Sequence, residues 1–344
     1  MSEAAARSPA TGSTFAFAAV VSAAVWAGPV PVFALGDGAV AACRAHDAGY
    51  RPERLVPAHA GAILCAAVHP DGRSLVTGGD DGRLMRTAVD GTTTVLVETG
   101  GRWVHDVVAS RRSGAIVCAV GSEALVLLPD RPGVAHRFGH PSSVGGLALD
   151  GKGRRLAVAH YGGVTLHWAF AAGGQPEMLA WKGSHLNLVW SPDARFVISA
   201  MQENALHGWR LGDRDHLRMT GYPAKSRSLS WSRKGRLLLT SGSDVLVGWP
   251  FDGKSGPSGR SPVELGPQGT PVVRVAAHPT QEVAAVGYAD GSVRLLRLAD
   301  GADIVVRDRA GAAVTALAWA DHGGALAWGT EGGDAGVFHP APDR

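Results

Sequence analysis

The chain of 344 residues contains only three cysteines, and charged residues make up just 18% of it. Cys43, Cys65 and Cys118 form no CxxC pair and have no spacing typical of a zinc site or a disulfide framework. We expect each to lie in a strand as a small buried hydrophobe. The formal net charge of +3 is too small to indicate a polyanionic partner.

Long hydrophobic runs are also missing. No run approaches the roughly 18 apolar residues of a membrane helix without a Gly or Pro break. Residues 14–27 resemble the apolar core of a secretory signal peptide, but the lone Arg7, offset by Glu3, makes a poor charged region before it. The segment also overlays residues 314–320, so we expect it to form strands. Cytoplasmic retention is therefore the prediction, with export as the alternative.

Catalytic motifs are absent as well, since no HExxH, GxSxG or EF-hand pattern occurs. Residues 248–255 match the P-loop pattern GxxxxGK[ST], yet Gly256-Pro257 and Pro262 follow, and these residues cannot continue as the helix that phosphate binding requires. We interpret the match as a surface loop. The fourteen histidines show no local metal spacing. The sequence thus predicts no enzyme activity, no cofactor and no metal.

Glycine, in contrast, is abundant: 47 residues, nearly twice the usual frequency of about 7%. Glycine marks tight turns, and a phrase of short apolar runs and turns returns eight times. The end of the first run in each repeat serves as an anchor, and the steps between anchors are 42, 41, 40, 41, 41, 46 and 42 residues. The anchors of repeats one to eight are Trp26, Val68, Ala109, Leu149, Trp190, Trp231, Ala277 and Trp319.

A strand repeat of this length predicts an all-β fold, a single closed β-propeller of four-stranded antiparallel blades. The anchors give eight blades, with seven as the alternative if residues 15–45 do not form a blade. We predict a propeller over 15–339, with tails at 1–14 and 340–344. The first tail, from about residue 8 to 15, is one candidate for the strand that closes the ring, and the C-terminal tail is the other.

Several repeats carry short motifs at equivalent places. These are Ala58-His59 with Thr77 to Gly82, Gly139-His140, His185 with Trp190 to Asp193 and Trp209, and Tyr288 to Leu295. With these motifs the repeats resemble the WD-repeat (tryptophan-aspartate repeat) β-propeller family over nearly the whole chain. The Trp-Asp pair that names the family is missing, and Trp168-Ala169, Trp209-Arg210 and Trp249-Pro250 stand in its place.

In that family a His, a Ser or Thr, an Asp and a Trp form a buried network within a blade. The resemblance implies such a network for His59, Thr77 and Asp81, with Thr87 in the place of Trp. It also implies one for His185, Ser199 and Trp209, where Glu203 replaces Asp. Most other repeats lack the set, so apolar packing should supply most of the stability.

The resemblance further implies a non-catalytic scaffold for protein–protein interaction, as a monomeric propeller within a complex. The partners would be one or more proteins, without a membrane. The turns that join strand four to strand one, and strand two to strand three, share one rim in this family. Here the rim would carry Asp80, Arg102, Trp103, Tyr161, Lys182, Gln202, Lys225 and Tyr288. Trp103 and Tyr161 are the strongest candidates, because aromatic residues dominate binding hot spots.

Two alternatives remain open. A metal-handling or enzymatic propeller would use the channel mouth, for which a ring of His59, His140 and His185 is conceivable. A nucleic-acid-associated factor is the weaker alternative. It would use the eight Lys and Arg residues between Arg210 and Arg236, but these fall on two opposite faces and fit solvation better than a phosphate track.

Overall fold

The computed structural model describes residues 11–47, 49–171 and 173–340. Within these ranges the chain forms thirty β-strands, each paired antiparallel with its neighbours. None of the described residues belongs to a helix long and apolar enough to cross a membrane. The predicted tails lie largely outside the described part, at 1–10 and 341–344.

The strands form seven sheets, six of four strands and one of six. The first sheet contains β2 (Val21–Ala27), β3 (Val30–Leu35), β4 (Ala39–His46) and β5 (Gly49–Pro57). The second contains β6 (Ile63–Val68), β7 (Ser74–Gly79), β8 (Arg83–Ala88) and β9 (Thr93–Glu98). The third contains β10 (Asp106–Ala109), β11 (Ile116–Val120), β12 (Glu123–Leu127) and β13 (His136–Gly139).

The six-stranded sheet follows, and its strands are β14 (Gly146–Leu149), β15 (Arg155–Trp168), β16 (Glu177–Trp190), β17 (Phe196–Met201), β18 (Leu206–Arg210) and β19 (Asp215–Met219). The next sheet contains β20 (Leu229–Trp231), β21 (Leu237–Thr240), β22 (Leu246–Pro250) and β23 (Val263–Leu265). The sixth contains β24 (Val272–Ala277), β25 (Val283–Tyr288), β26 (Val293–Arg297) and β27 (Asp303–Arg307). The last pairs β28 (Val314–Trp319), β29 (Leu326–Thr330) and β30 (Asp334–His339) with β1 (Thr11–Ala16).

The prediction of eight separate blades is wrong at the level of hydrogen-bonded sheets, because there are seven. The difference does not arise at the N-terminal unit, which forms its own sheet from β2 to β5. It arises in the middle, where β15 carries the second and third strand positions of repeat four. Strand β16 then carries the fourth strand of repeat four and the first strand of repeat five, so these two repeats share one sheet.

The first strand of the chain completes the sheet of the last repeat. Strand β1 pairs with β30 from Thr11 opposite His339 to Ala16 opposite Asp334. The predicted propeller boundary at residue 15 therefore falls inside a strand. The first and last sheets also share a hydrophobic cluster, in which Phe33 packs with Ala327 and Val337.

Glycine serves the turns, as its abundance predicted: 27 of the described glycines have a positive φ. Such angles cost little for glycine and are strained for other residues. Between the turns, the central strands are apolar on both faces because each sheet is covered by its neighbours. Strand β11, for example, is buried at every residue.

Neighbouring repeats are also joined by polar contacts along the innermost strands. Side chains three residues before the anchor reach the backbone of the next repeat. Asp106 Oδ2 accepts the Leu147 N–H at 2.8 Å, and Asn187 Nδ2 donates to Arg227 O at 3.1 Å. Ser228 Oγ donates to Val275 O at 3.2 Å, and Arg274 Nε donates to Thr315 O at 2.7 Å. Neighbouring repeats are thus held together by specific hydrogen bonds as well as by apolar packing.

Candidate functional site

Two faces result from the alternating strand directions. The first face carries the turns from strand four to strand one of the next repeat and from strand two to strand three. The second face carries the turns from strand one to strand two and from strand three to strand four. Both are rich in turn residues, and loops held on a rigid scaffold are where binding sites concentrate.

On the first face of repeat two, the structure brings together the predicted network. The His59 ring lies 2.9 Å from Thr77 Oγ1 through Nε2 and 2.9 Å from Asp81 Oδ1 through Nδ1. Asp81 also accepts the backbone N–H groups of Ala60 and Arg83, each at 3.1 Å. The carboxylate therefore ties the turn before the first strand to the turn after the second.

The electrostatics of Asp81 follow from these donors. Partial burial by itself would raise the pKa of this carboxyl, but the His59 ring and the backbone N–H groups outweigh it and hold the pKa below the ordinary value. A carboxylate stabilised in the folded state contributes stability above its unfolded pKa and loses it as the pH falls through the folded pKa. Asp81 is therefore a structural charge.

In repeat five, two of the three predicted residues meet. His185 Nδ1 lies 2.6 Å from Ser199 Oγ, while its Nε2 lies 2.9 Å from the Trp181 carbonyl. Trp209 packs near the His185 ring, with centroids 5.5 Å apart, but its buried indole N–H has no partner among the described residues. Glu203 accepts the Ser184 N–H at 3.2 Å and makes no bond to the histidine.

Repeat six contains a network that sequence reasoning missed. Tyr222 Oη lies 2.6 Å from Thr240 Oγ1 and accepts the Trp249 indole N–H at 2.7 Å. Tyr222 is buried and lies nine residues before its anchor, as His59 does in repeat two. The equal spacing is the signal for this position, but a tyrosine stands there in place of the family's histidine.

The predicted rim residues on the first face differ strongly in exposure. Trp103 and Tyr161 have 62% and 56% of their surface exposed. Arg102, Lys182 and Gln202 are also exposed, while Asp80 and Lys225 are half-buried. Arg102 is held by Glu123, with 2.8 Å between its Nη1 and Oε2.

Tyr288 is not a rim residue, and that prediction is wrong. Its exposure is only 2%, because it ends β25 opposite Val272 and points into the apolar cluster that contains Leu296. Burial raises its pKa to about 12. Its hydroxyl has no partner among the described residues.

Acidic residues at the strand-two-to-three turns bond to backbone N–H groups of turns. Asp37 accepts Ala39 N at 3.1 Å, and Asp290 accepts Ser292 N at 3.0 Å, each within its own turn. Asp244 accepts Gly269 N at 3.3 Å from the turn between β23 and β24. These carboxylates stabilise turns.

On the second face, Trp168 does not lie in the buried position that its place in the repeat predicts. It lies nineteen residues after its anchor, like Trp209, and should have occupied the same buried position. The hairpin formed by strands two and three of repeat four is one residue shorter than the same hairpin of repeat five. Ala169 N bonds Arg154 O in repeat four, whereas Leu211 N bonds Arg195 O in repeat five. The shift turns Trp168 outward, 53% exposed, and places the buried His167 where Trp209 lies in repeat five.

Histidine pairs lie within the sheets but gather no third metal ligand. His140 Nε2 lies 3.1 Å from His167 Nε2, and His207 Nε2 lies 3.0 Å from His216 Nδ1. Burial, reinforced by neighbouring histidines, lowers the pKa of His140 and His167 to about 4 and that of His207 to about 3. Throughout 11–47, 49–171 and 173–340, no group of three or more His, Cys, Asp or Glu residues is placed to hold a metal.

The segment that matches the P-loop pattern, residues 248–255, lacks the structure that phosphate binding needs. Gly248 lies in β22, paired with Val263, and residues 251–262 form turns rather than a helix.

A cavity of about 430 Å³ lies at the ends of the first strands, lined mainly by apolar side chains such as Trp26, Val275 and Trp319. Its one carboxylate, Asp321, is paired with Arg111 at 2.6 Å. Neither place gathers the convergent acids and bases of a catalytic site.

The fold places the chain in the class of β-propellers with four-stranded antiparallel units. Residues 50–85 match the family model of the WD domain, G-beta repeat. The match begins in β5, the outer strand of one sheet, and ends in β8, the third strand of the next. The matched repeat and the sheets together support a WD-repeat propeller, as the sequence predicted.

Solved structures with this fold are numerous, with 1862 matching chains, so the fold does not single out a partner. One is the crystal structure of the computationally designed Ika8 protein, with a TM-score of 0.76 and 16% sequence identity. The alignment covers 94% of this chain and 98% of that chain. At this identity the similarity shows the fold alone. No curated protein gives a significant match.

Proposed function

We propose that the chain is a non-catalytic protein-interaction platform of WD-repeat type, and that a partner protein binds the rim of the first face around Trp103 and Tyr161. WD-repeat propellers generally mediate protein interactions, which makes this the leading class. The observation that carries the proposal is the exposure of these two large aromatic side chains on one face. Tyr and Trp are enriched among residues that contribute most to binding.

The backbone that holds both residues supports the proposal. Val104, next to Trp103, is fully buried, and its N–H donates to Gly79 O at 3.0 Å. The Tyr161 N–H donates to Ser142 Oγ at 2.9 Å. Side chains on a pinned backbone lose less conformational entropy on binding than side chains on free loops.

The proposal also depends on the sheets acting as one rigid body, which we infer to be a closed ring. The Trp26 indole N–H of the first sheet donates to Ala318 O of the last sheet at 2.9 Å. Thr315 Oγ1 of the last sheet donates to Val21 O of the first at 2.6 Å. Both bonds, like the pairing of β1 with β30, bridge the two ends of the described chain.

Affinity capture with paired variants tests the proposal. Wild-type protein, the double variant Trp103→Ala/Tyr161→Ala and the control Ile304→Ala would each be used to isolate partners from native lysate. Ile304 is a matched control because it is exposed on the outer strand β27. A partner recovered with the wild type and the control but lost with the double variant supports the proposal. Equal recovery with all three, while unfolding curves show folded protein, contradicts it.

A further inference from the structure

A groove on the second face lies between repeats three and four, away from the rim described above. It encloses about 860 Å³. Two turns from strand one to strand two, at residues 110–114 and 150–154, form part of it, and the loop that follows β15 forms the rest. Its principal lining residues are Arg112, Ser113, Lys152, Arg154, Trp168 and Phe170.

The apolar part of the groove is aromatic and accessible. Trp168 and Phe170 are 53% and 43% exposed. The register shift in repeat four explains why Trp168 points outward instead of into the sheet. Arg155 lies beside it, with its guanidinium carbon 5.9 Å from the Trp168 ring centroid. Exposed aromatic side chains in a concave surface are typical of binding sites.

The charged part of the groove is positive and uncompensated. Arg112, Lys152 and Arg154 make no ion pair with any described residue, and no carboxylate lines the groove. Arg112 Nη1 donates to Gly151 O at 3.2 Å, which holds its guanidinium at the groove edge. Positive charges without partners raise the local potential and attract anionic ligands.

The two carboxylates of repeat four, Asp150 and Glu177, are already engaged. Asp150 is buried, and its Oδ1 accepts the backbone N–H groups of Arg154 and Arg155. Glu177 lies 3.5 Å from Arg155 and 3.4 Å from Arg214. The three lining cations therefore have no internal partner to displace before binding a ligand.

We propose that this groove binds an acidic segment of a partner protein. Carboxylates of the segment bind Arg112, Lys152 and Arg154, and an apolar side chain packs against Trp168 and Phe170. The site lies on the face opposite the rim, so the inference is independent of the first-face proposal. A nucleic acid fits less well, because its backbone needs a longer positive track and this patch holds only three lining cations.

Fluorescence anisotropy tests the proposal directly. The probe is a short fluorescein-labelled peptide of alternating Asp and Glu residues with a central Phe, titrated with the full chain at low salt. A second peptide, with Asn and Gln in place of the acids, reports the contribution of charge. A labelled single-stranded oligonucleotide is the third arm.

Two variants remove side chains of the groove, and a third removes an arginine outside the groove as a control. Arg112→Gln/Arg154→Gln removes two cations, and Trp168→Ser removes the aromatic wall. Arg111→Gln is the control, since Arg111 is adjacent in sequence but paired with Asp321 outside the groove. Because the double variant removes two of the three lining cations, we expect it to weaken binding of the acidic peptide about tenfold or more. The control should stay within about twofold.

The outcomes separate cleanly. Salt-sensitive binding of the acidic peptide, lost in the double variant, weakened in Trp168→Ser and retained in Arg111→Gln, supports the proposal. Absence of binding, or binding that the three variants affect equally, overturns it. Tighter binding of the oligonucleotide, lost in the same double variant, also overturns it and assigns the groove to nucleic acid. Thermal unfolding of each variant verifies that the protein is folded.

Discussion

The blade network on the first face and the groove on the second face use charged residues differently. On the first face, Arg102 pairs with Glu123 and Arg309 with Asp290, and Asp81 completes a buried network. On the second face, the groove leaves Arg112 and Arg154 without an ion pair among the described residues. Charge in the network is therefore part of the fold, whereas charge in the groove is free for a ligand.

Trp209 and Trp168 also differ, one being buried in the fold and the other exposed in the groove. Their substitution gives the largest predicted difference in stability. Trp209→Ala should destabilise the protein by about 3–5 kcal/mol, because its side chain is 1% exposed within an apolar cluster. Trp168→Ala, one register position away, should cost less than about 1 kcal/mol, since more than half of that side chain is already in solvent. Urea unfolding monitored by circular dichroism measures both.

Similar losses for the two variants would contradict the register assignment. The outward direction of Trp168, and with it the aromatic wall of the groove, would then be wrong.

A smaller effect is expected for the network of repeat six. Tyr222→Phe should lower the free energy of unfolding by about 1–3 kcal/mol, because the indole N–H of Trp249 and the hydroxyl of Thr240 would each lose a buried partner. Tyr161→Phe is the matched control, since Tyr161 is exposed on the same face. Its unfolding midpoint in urea should not change. A loss in the control equal to that of Tyr222→Phe would contradict a structural role specific to Tyr222.

The pH dependence of stability separates the sheet interior from the groove. Burial lowers the pKa of His140, His167 and His207 below the unfolded value of about 6.5. Between pH 6.5 and about 4 the unfolded chain therefore binds more protons than the folded chain, and stability should fall as the pH decreases through this window.

Unfolding free energies at several pH values measure that slope, and His207→Phe should reduce it. Peptide binding by the groove should stay unchanged between about pH 8 and 6, because Arg and Lys do not titrate there. A slope of opposite sign would contradict the burial of these histidines.

Much of the fold could be predicted because the repeat carries it. The spacing of apolar runs predicted strands throughout the described ranges. The family resemblance implied a network of His59, Thr77 and Asp81, and these three side chains do bond to one another. These features depend on local pattern, which one sequence contains.

The missed features depend on small changes in register or identity. A hairpin shorter by one residue turned Trp168 outward, although its distance from the anchor was unchanged. Tyr288 lies one position before a turn, and pairing with Val272 carries it into the core. Strands β15 and β16 each run through two strand positions, across register shifts in their pairing, and so joined two repeats into one sheet. Neighbouring strands decide such features, and the period does not encode them.

The central claim is that the Asp81 charge is structural and the groove charge is free, and one comparison tests it most directly. Asp81→Asn and Arg154→Gln each remove one formal charge, and equilibrium urea unfolding at pH 7 compares them with the wild type. Asp81→Asn should lose about 2 kcal/mol, since its carboxylate accepts bonds from His59, Ala60 and Arg83. Arg154→Gln should stay within about 0.5 kcal/mol of the wild type. Equal losses, or a larger loss for Arg154→Gln, would contradict the claim.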